Sequence, residues 1–187
     1  MNRFHSSTPQ IRFSMNLRRF LVSLAPIAVA LAMLAPRHAE AAGPFPDKNL
    51  EAAVRALLRE PTAELTDEKL RNVHILEAPG KEIADLKGLE KCVNLALLNL
   101  AKNKIKDVAP LKDLKVLQSL DLGNNQITDI STFATLPGLQ YVRLTDNAIK
   151  EVKALSGLVN LMAVDVSGNQ VSDLSPLGGL PKLASMY

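Results

Sequence analysis

The chain has 187 residues, 22 Lys and Arg against 19 Asp and Glu (formal charge +3), and 47% hydrophobic residues. Five of the cations and one of the anions fall in residues 1–41, which leaves 17 against 18 in the remainder. That balance excludes a partner drawn by bulk charge, whether nucleic acid or an anionic membrane, and a single cysteine, Cys92, excludes an internal disulfide.

Residues 1–41 read as an N-terminal extension and a cleavable signal peptide. After Met15 come a basic pair (Arg18, Arg19), an apolar run from Phe20 to Leu34, and the A-x-A pattern Ala39-Glu40-Ala41. The run is broken by Pro26 and is shorter than the ~20 residues of a spanning helix, which argues against an uncleaved anchor. Residues 1–14 carry no usable pattern, so Met15 is a second candidate start. Phe20 follows the arginine pair directly, which fits the general secretory route better than the twin-arginine one. The leader has no lipobox cysteine. The expectation is a soluble exported protein, periplasmic or extracellular, with no membrane insertion once the signal is cleaved.

Residues 42–72 predict a helical cap. Asp47 can cap a helix whose apolar residues Leu50, Ala53, Val54, Leu57 and Leu58 recur at three- and four-residue spacing. Pro61 ends it, and Thr66 starts a second short helix with Leu70 inward.

From residue 73 to 187 the chain repeats itself. LALLNLAKNKIKDVAPL (95–111) recurs as LQSLDLGNNQITDISTF (117–133), LQYVRLTDNAIKEVKAL (139–155) and LMAVDVSGNQVSDLSPL (161–177), each copy 22 residues after the last. A looser copy, VHILEAPGKEIADLKGL, occupies 73–89. Apolar columns run through Leu76, Leu98, Leu120, Val142 and Val164, and through Ala78, Leu100, Leu122, Leu144 and Val166. Two more pass through Ile83, Ile105, Ile127, Ile149 and Val171, and through Leu86, Val108, Ile130, Val152 and Leu174. Alternation around residues 98–101 predicts a half-buried strand in each copy. Such strands stack ~4.8 Å apart as a parallel ladder, because each lies one period further along. No copy can bury its apolar face alone, so neighbours do it for one another, and the helices of 42–72 cover the first face. Asn103, Asn125, Asn147 and Asn169 share a column where the chain leaves the strand; an amide side chain both donates and accepts, as a turn there requires. Lys81 holds that place in the first copy and cannot do the same, so that copy must be irregular or otherwise closed.

The pattern L-x-x-L-x-L-x-x-N-x-I-x-D, five times in register, resembles the leucine-rich repeat. The period and the closing segments D-V-A-P-L (107–111) and D-L-S-P-L (173–177) resemble its internalin-type bacterial subclass, over residues 44–187. The resemblance implies an α/β solenoid: a right-handed superhelix with parallel strands on the concave face and an α-helical N-terminal cap. It implies that the four asparagines form a structural ladder. It also implies a protein partner bound on the concave face, which would present Ile75, Leu97, Ser119, Tyr141 and Ala163 beside Glu77, Asn99, Asp121, Arg143 and Asp165. Tyr and Arg are enriched at binding hot spots, which singles out Tyr141 and Arg143. The alternative is an Arg143 merely neutralised by Asp121 and Asp165, an exposed trio contributing about 0–1 kcal/mol. Ile75 and Leu97 are an exposed apolar pair in this register, to be met by a partner or covered by the cap.

Little in the sequence suggests catalysis, and no cofactor or metal is expected. His74 has no nucleophile placed beside it by any motif. Cys92 falls in a column of leucines (Leu114, Leu136, Leu158, Leu180), as a buried leucine substitute would. Asp85, Asp107, Asp129 and Asp173 lie 22 residues or more apart rather than in the clusters calcium takes, and turn capping explains them. Lys102, Lys104 and Lys106 form a small basic edge of the kind water usually solvates. Continuing the period places Met186 in a sixth, truncated strand, with Leu177, Leu180 and Leu183 as its return leucines. An open strand edge invites pairing, so the rival to a binding module is a structural envelope component that forms a homodimer through its C-terminal edge. A remnant without function is a third reading.

Overall fold

A computed structural model describes residues 43–187 of the chain; the expected signal peptide lies outside the described residues. Two helices come first, α1 (Lys48–Leu58) and α2 (Asp67–Leu70). Six short strands follow: β1 (Ile75–Glu77), β2 (Leu97–Asn99), β3 (Ser119–Asp121), β4 (Tyr141–Arg143), β5 (Ala163–Asp165) and β6 (Ser185–Met186). They form one parallel sheet in chain order, and each residue pairs with the one 22 positions on, as Ile75 does with Leu97 and Ser119 with Tyr141. A register set by the repeat length is what a constant period demands, since a slip of one residue would turn every core side chain outward.

In β1 to β5 only the central residue points inward: Leu76, Leu98, Leu120, Val142 and Val164 are all buried. The chain returns through single 3-10 turns, from Leu89–Lys91 to Ser175–Leu177, whose tight geometry suits a connection this short. Their leucines close one continuous core that also takes in Phe45, Leu50, Val54 and Leu70 from the N-terminal end. Leu57 departs from the expected apolar stripe of α1 and is 45% exposed, while Glu51 is buried in its place between Lys48 (2.9 Å) and Arg55 (2.7 Å). Arg55 then reaches the carbonyls of Glu60 and Ala63 and fastens the link to α2.

Two columns govern how the chain leaves each strand. Gly80, Lys102, Asn124, Asp146 and Gly168 all have left-handed backbone, with φ between 54° and 70°. Glycine accepts that conformation freely and Asn or Asp tolerate it, so Lys102 is the costly member. Next to them stand the asparagines. Asn125 accepts from the Ile105 amide at 3.0 Å and donates to the carbonyls of Leu100 and Leu122, both at 3.0 Å. Asn147 does the same for Ile127, Leu122 and Leu144, and Asn169 for Ile149, Leu144 and Val166. Asn103 does more, taking the amides of both Lys81 and Ile83. Of the four, only Asn103 is buried; the others are half-buried.

The first copy, lacking its asparagine, is closed from outside. Asp47 caps α1 through Oδ1, which accepts from Asn49 and Leu50, while its Oδ2 accepts from the amides of Ala84 and Asp85. A second left-handed residue, Glu82, marks the same turn as irregular.

Candidate functional site

Residues flanking each central strand position alternate to the face away from the core, and there the side chains of interest lie in two rows. One row is Ile75, Leu97, Ser119, Tyr141, Ala163 and Ser185; the other is Glu77, Asn99, Asp121, Arg143 and Asp165. The sheet therefore brings the concave-face candidates together on one surface. Their exposure is uneven: Ile75 is 52% exposed and Tyr141 48%, whereas Leu97, Asn99, Asp121 and Asp165 are half-buried. Leu97 is thus less available than an exposed pair with Ile75 would require.

Charges on this face are not arranged as a symmetric trio. Arg143 approaches Asp121 at 3.4 Å. Asp165, on the other side, accepts from the Ser167 amide at 3.1 Å and joins no ion pair among the described residues. Asn99 and Asp121 bond the amides two residues on in the same way. One oxygen of each short polar side chain therefore closes its own turn; what is left to meet a ligand is the amide NH2 of Asn99 and the second oxygen of Asp165, since that of Asp121 faces Arg143.

A shallow hollow of 360 Å³ opens over β3 to β5, and Tyr141, Arg143, Ala163, Asp165 and Tyr187 contribute to it. Tyr187 was missed in the sequence analysis, although the period announces it: it lies 22 residues after Asp165, and its amide bonds the Val164 carbonyl at 3.1 Å. Ser119 and Ala163, the small neighbours of Tyr141 on either strand, leave both sides of its ring uncovered.

The remaining candidates lie elsewhere. His74 is exposed beside β1, with Nδ1 3.3 Å from the Asn94 carbonyl. Cys92 is buried, and that burial pushes its thiol up to about 12, well away from thiolate chemistry at neutral pH. Asp85, Asp107, Asp129 and Asp173 each accept the amide two residues on; for the last three that amide belongs to the first residue of a 3-10 turn, and for Asp85 it lies two residues ahead of one. Lys104 pairs with Glu82 across neighbouring turns.

Leucine-rich repeats in two copies match residues 93–135 and 115–160. Among solved structures, an internalin (InlF) from Listeria monocytogenes is 34% identical with a TM-score of 0.74, over 76% of this chain and 43% of its own. A leucine-rich repeat protein from Leptospira interrogans is 26% identical with a TM-score of 0.61, over 65% of this chain and 33% of its own. The leucine-rich repeat ectodomain of a plant membrane receptor kinase from Arabidopsis thaliana, solved in complex with Casparian strip integrity factor 2, is alike in fold alone. It is 24% identical with a TM-score of 0.57, over 65% of this chain and 16% of its own. The chain thus spans less than half the length of each. No curated protein matches it.

Proposed function

This chain is a bacterial leucine-rich repeat protein of the internalin type, and from that premise we propose that it is an exported, non-catalytic module binding a protein partner through the outer face of its sheet. Proteins of this type are generally protein-interaction modules, and internalin relatives are surface or secreted proteins. The observation that carries the reading is the row of unlike side chains on a regular lattice: Ile75, Leu97, Ser119, Tyr141 and Ala163 differ at every strand while the buried column beneath them stays Leu or Val. A fold requirement would repeat with the period, and these positions do not. Rungs held by backbone ladders and asparagine bonds present such a surface preformed, which limits the entropy lost on binding. The plant receptor ectodomain, of the same fold, was solved in complex with Casparian strip integrity factor 2.

The test is photo-crosslinking. A crosslinking amino acid is placed at Ser119 or Glu77 on the sheet face, with Lys112 in the return segment as control. Incubation with extracellular and envelope fractions should give one discrete adduct from the sheet face and none from Lys112. An adduct at twice the mass of the chain would instead favour self-association, the reading in which the protein is an envelope component. Equal adducts from both sides would sink the assignment of the face.

A further inference from the structure

The chain has two tyrosines and no tryptophan, and both tyrosines border the same hollow. Its floor is Ala163 on β5, the smallest residue in its row. Tyr141 stands one strand to one side, and Tyr187, on the neighbouring row, one strand to the other. Two strand spacings separate them across the sheet, about 10 Å, which is room for one side chain between the rings.

The charges select what enters. Arg143 is occupied with Asp121 at 3.4 Å, whereas Asp165 offers a carboxylate oxygen beyond the one that closes its turn. Along the two outward rows of β1 to β5 the charged residues are Glu77, Asp121 and Asp165 against Arg143 alone. The face therefore carries a surplus of two negative charges, although the chain from residue 42 on is nearly neutral. An anionic ligand would meet that surplus, and a purely apolar one would leave Asp165 desolvated without a partner.

We propose that this hollow receives an arginine or lysine side chain from an extended segment of the protein partner, its charge against Asp165 and its stem and head group between the rings of Tyr141 and Tyr187. The proposal rests on the sheet face being the binding face and names the chemistry that face reads. Cations over tyrosine faces gain from the ring quadrupole, and a carboxylate alongside adds a charge-assisted bond. A second hollow, 620 Å³ beside Asp129, Lys150, Glu151 and Lys153, has balanced charges and selects nothing.

The tyrosines report on their own site. In the full chain, their ring proton resonances are followed by NMR during titration with acetyl-Gly-Arg-Gly-amide, and with the Glu and Leu counterparts at constant ionic strength. The arginine peptide should shift both rings and saturate in the millimolar range expected of a single contact, while the other two give no saturating shift. Asp165→Asn, which keeps the acceptor its turn needs, should weaken binding about fivefold. Arg143→Gln removes the one competing cation and should tighten it roughly twofold, a gain that a merely structural residue would not give. No saturation by the arginine peptide, an unchanged affinity in Asp165→Asn, or preference for the glutamate peptide would each overturn the proposal. A partner that crosslinks at Ser119 but ignores Asp165→Asn would leave the binding face standing and reject its cation site. Peptide binding without any crosslinked protein would do the reverse.

Discussion

The asparagine column is built with a redundancy that makes a quantitative prediction. The Leu122 carbonyl accepts from both Asn125 and Asn147 at 3.0 Å. The Leu100 carbonyl is likewise shared by Asn103 and Asn125, and that of Leu144 by Asn147 and Asn169. Asn125→Ala therefore leaves the Ile105 amide without its acceptor but neither carbonyl without a donor; Asn147→Ala does the same at Ile127. One orphaned amide in a buried residue costs about 1–3 kcal/mol, and each single variant should lose about that much. The double variant also strips Leu122 of both donors, adding a third orphaned group and a coupling of about 1–3 kcal/mol beyond additivity. Asn103→Ala combined with Asn147→Ala is the control, because those two share no carbonyl. That pair should add within about 0.5 kcal/mol. Urea denaturation followed by circular dichroism measures both cycles, with an osmolyte present to keep the double variant folded. Equal coupling in the two cycles, or none in either, would refute the sharing of carbonyls as the source of cooperativity between repeats.

Other substitutions probe positions where one repeat departs from its siblings. Lys102→Gly relieves the one left-handed residue in its column that is neither glycine nor Asn or Asp, and should stabilise by about 0.5–1 kcal/mol, read as a higher urea midpoint. Glu151 stands where the other copies have Asp and makes no bond to the amide two residues on among the described residues; Glu151→Asp should supply that bond and stabilise by a comparable amount, about 0.5–1 kcal/mol, read the same way. The Cys92 thiol, pushed up to about 12 by burial, should resist alkylation by iodoacetamide at pH 8 in the native protein and react at once in denaturant; labelling of the native form would show that the core opens. At Asp47, burial pushes the carboxyl up, but the amides of Ala84, Leu50, Asp85 and Asn49 outweigh it and hold the group below its ordinary 3.8. A depressed native value stabilises above the unfolded pKa and fades as pH falls through the native one. The contribution is therefore present above about pH 4 and lost on acidification below it, and an acid titration of Asp47→Asn should lack that part of the decline.

How much of this was written in the sequence depends on whether a feature repeats. Strand positions, register and inward columns were legible because the period of 22 states them several times over, and a pattern stated that often overrides local propensity. Leu57 misled because helical spacing identifies an apolar stripe without saying where its cover ends, and at Leu57 the edge of the stripe stays wet. The clip from Asp47 to the first turn was invisible, since its two ends lie 37 residues apart with no second example to compare. The left-handed column was likewise hidden, because Gly, Lys, Asn, Asp and Gly share a backbone requirement and not a side-chain type. Tyr187 could have been found by adding one more period to Asp165.

The same logic separates structural residues from those free to carry function, without any other sequence for comparison. Each repeat is an independent solution to one packing problem, so the five copies are replicates within a single chain. Positions the fold needs converge across them: the central strand residue is Leu or Val five times, and the ladder is Asn four times. Asp recurs four times before the 3-10 turns because the turn needs its acceptor. Where the copies scatter although backbone and register are the same, the fold imposes no choice. The widest scatter in charge and size on the strands falls on the two outward rows, where Tyr141 stands between Ser119 and Ala163 and Arg143 between Asp121 and Asp165. An arginine between two aspartates on a rigid lattice is a pairing problem with two answers. The side chain leans to Asp121 and leaves Asp165 beside the tyrosines, so the asymmetry needed to tell a cation from an anion arises from one rotamer on an otherwise periodic surface.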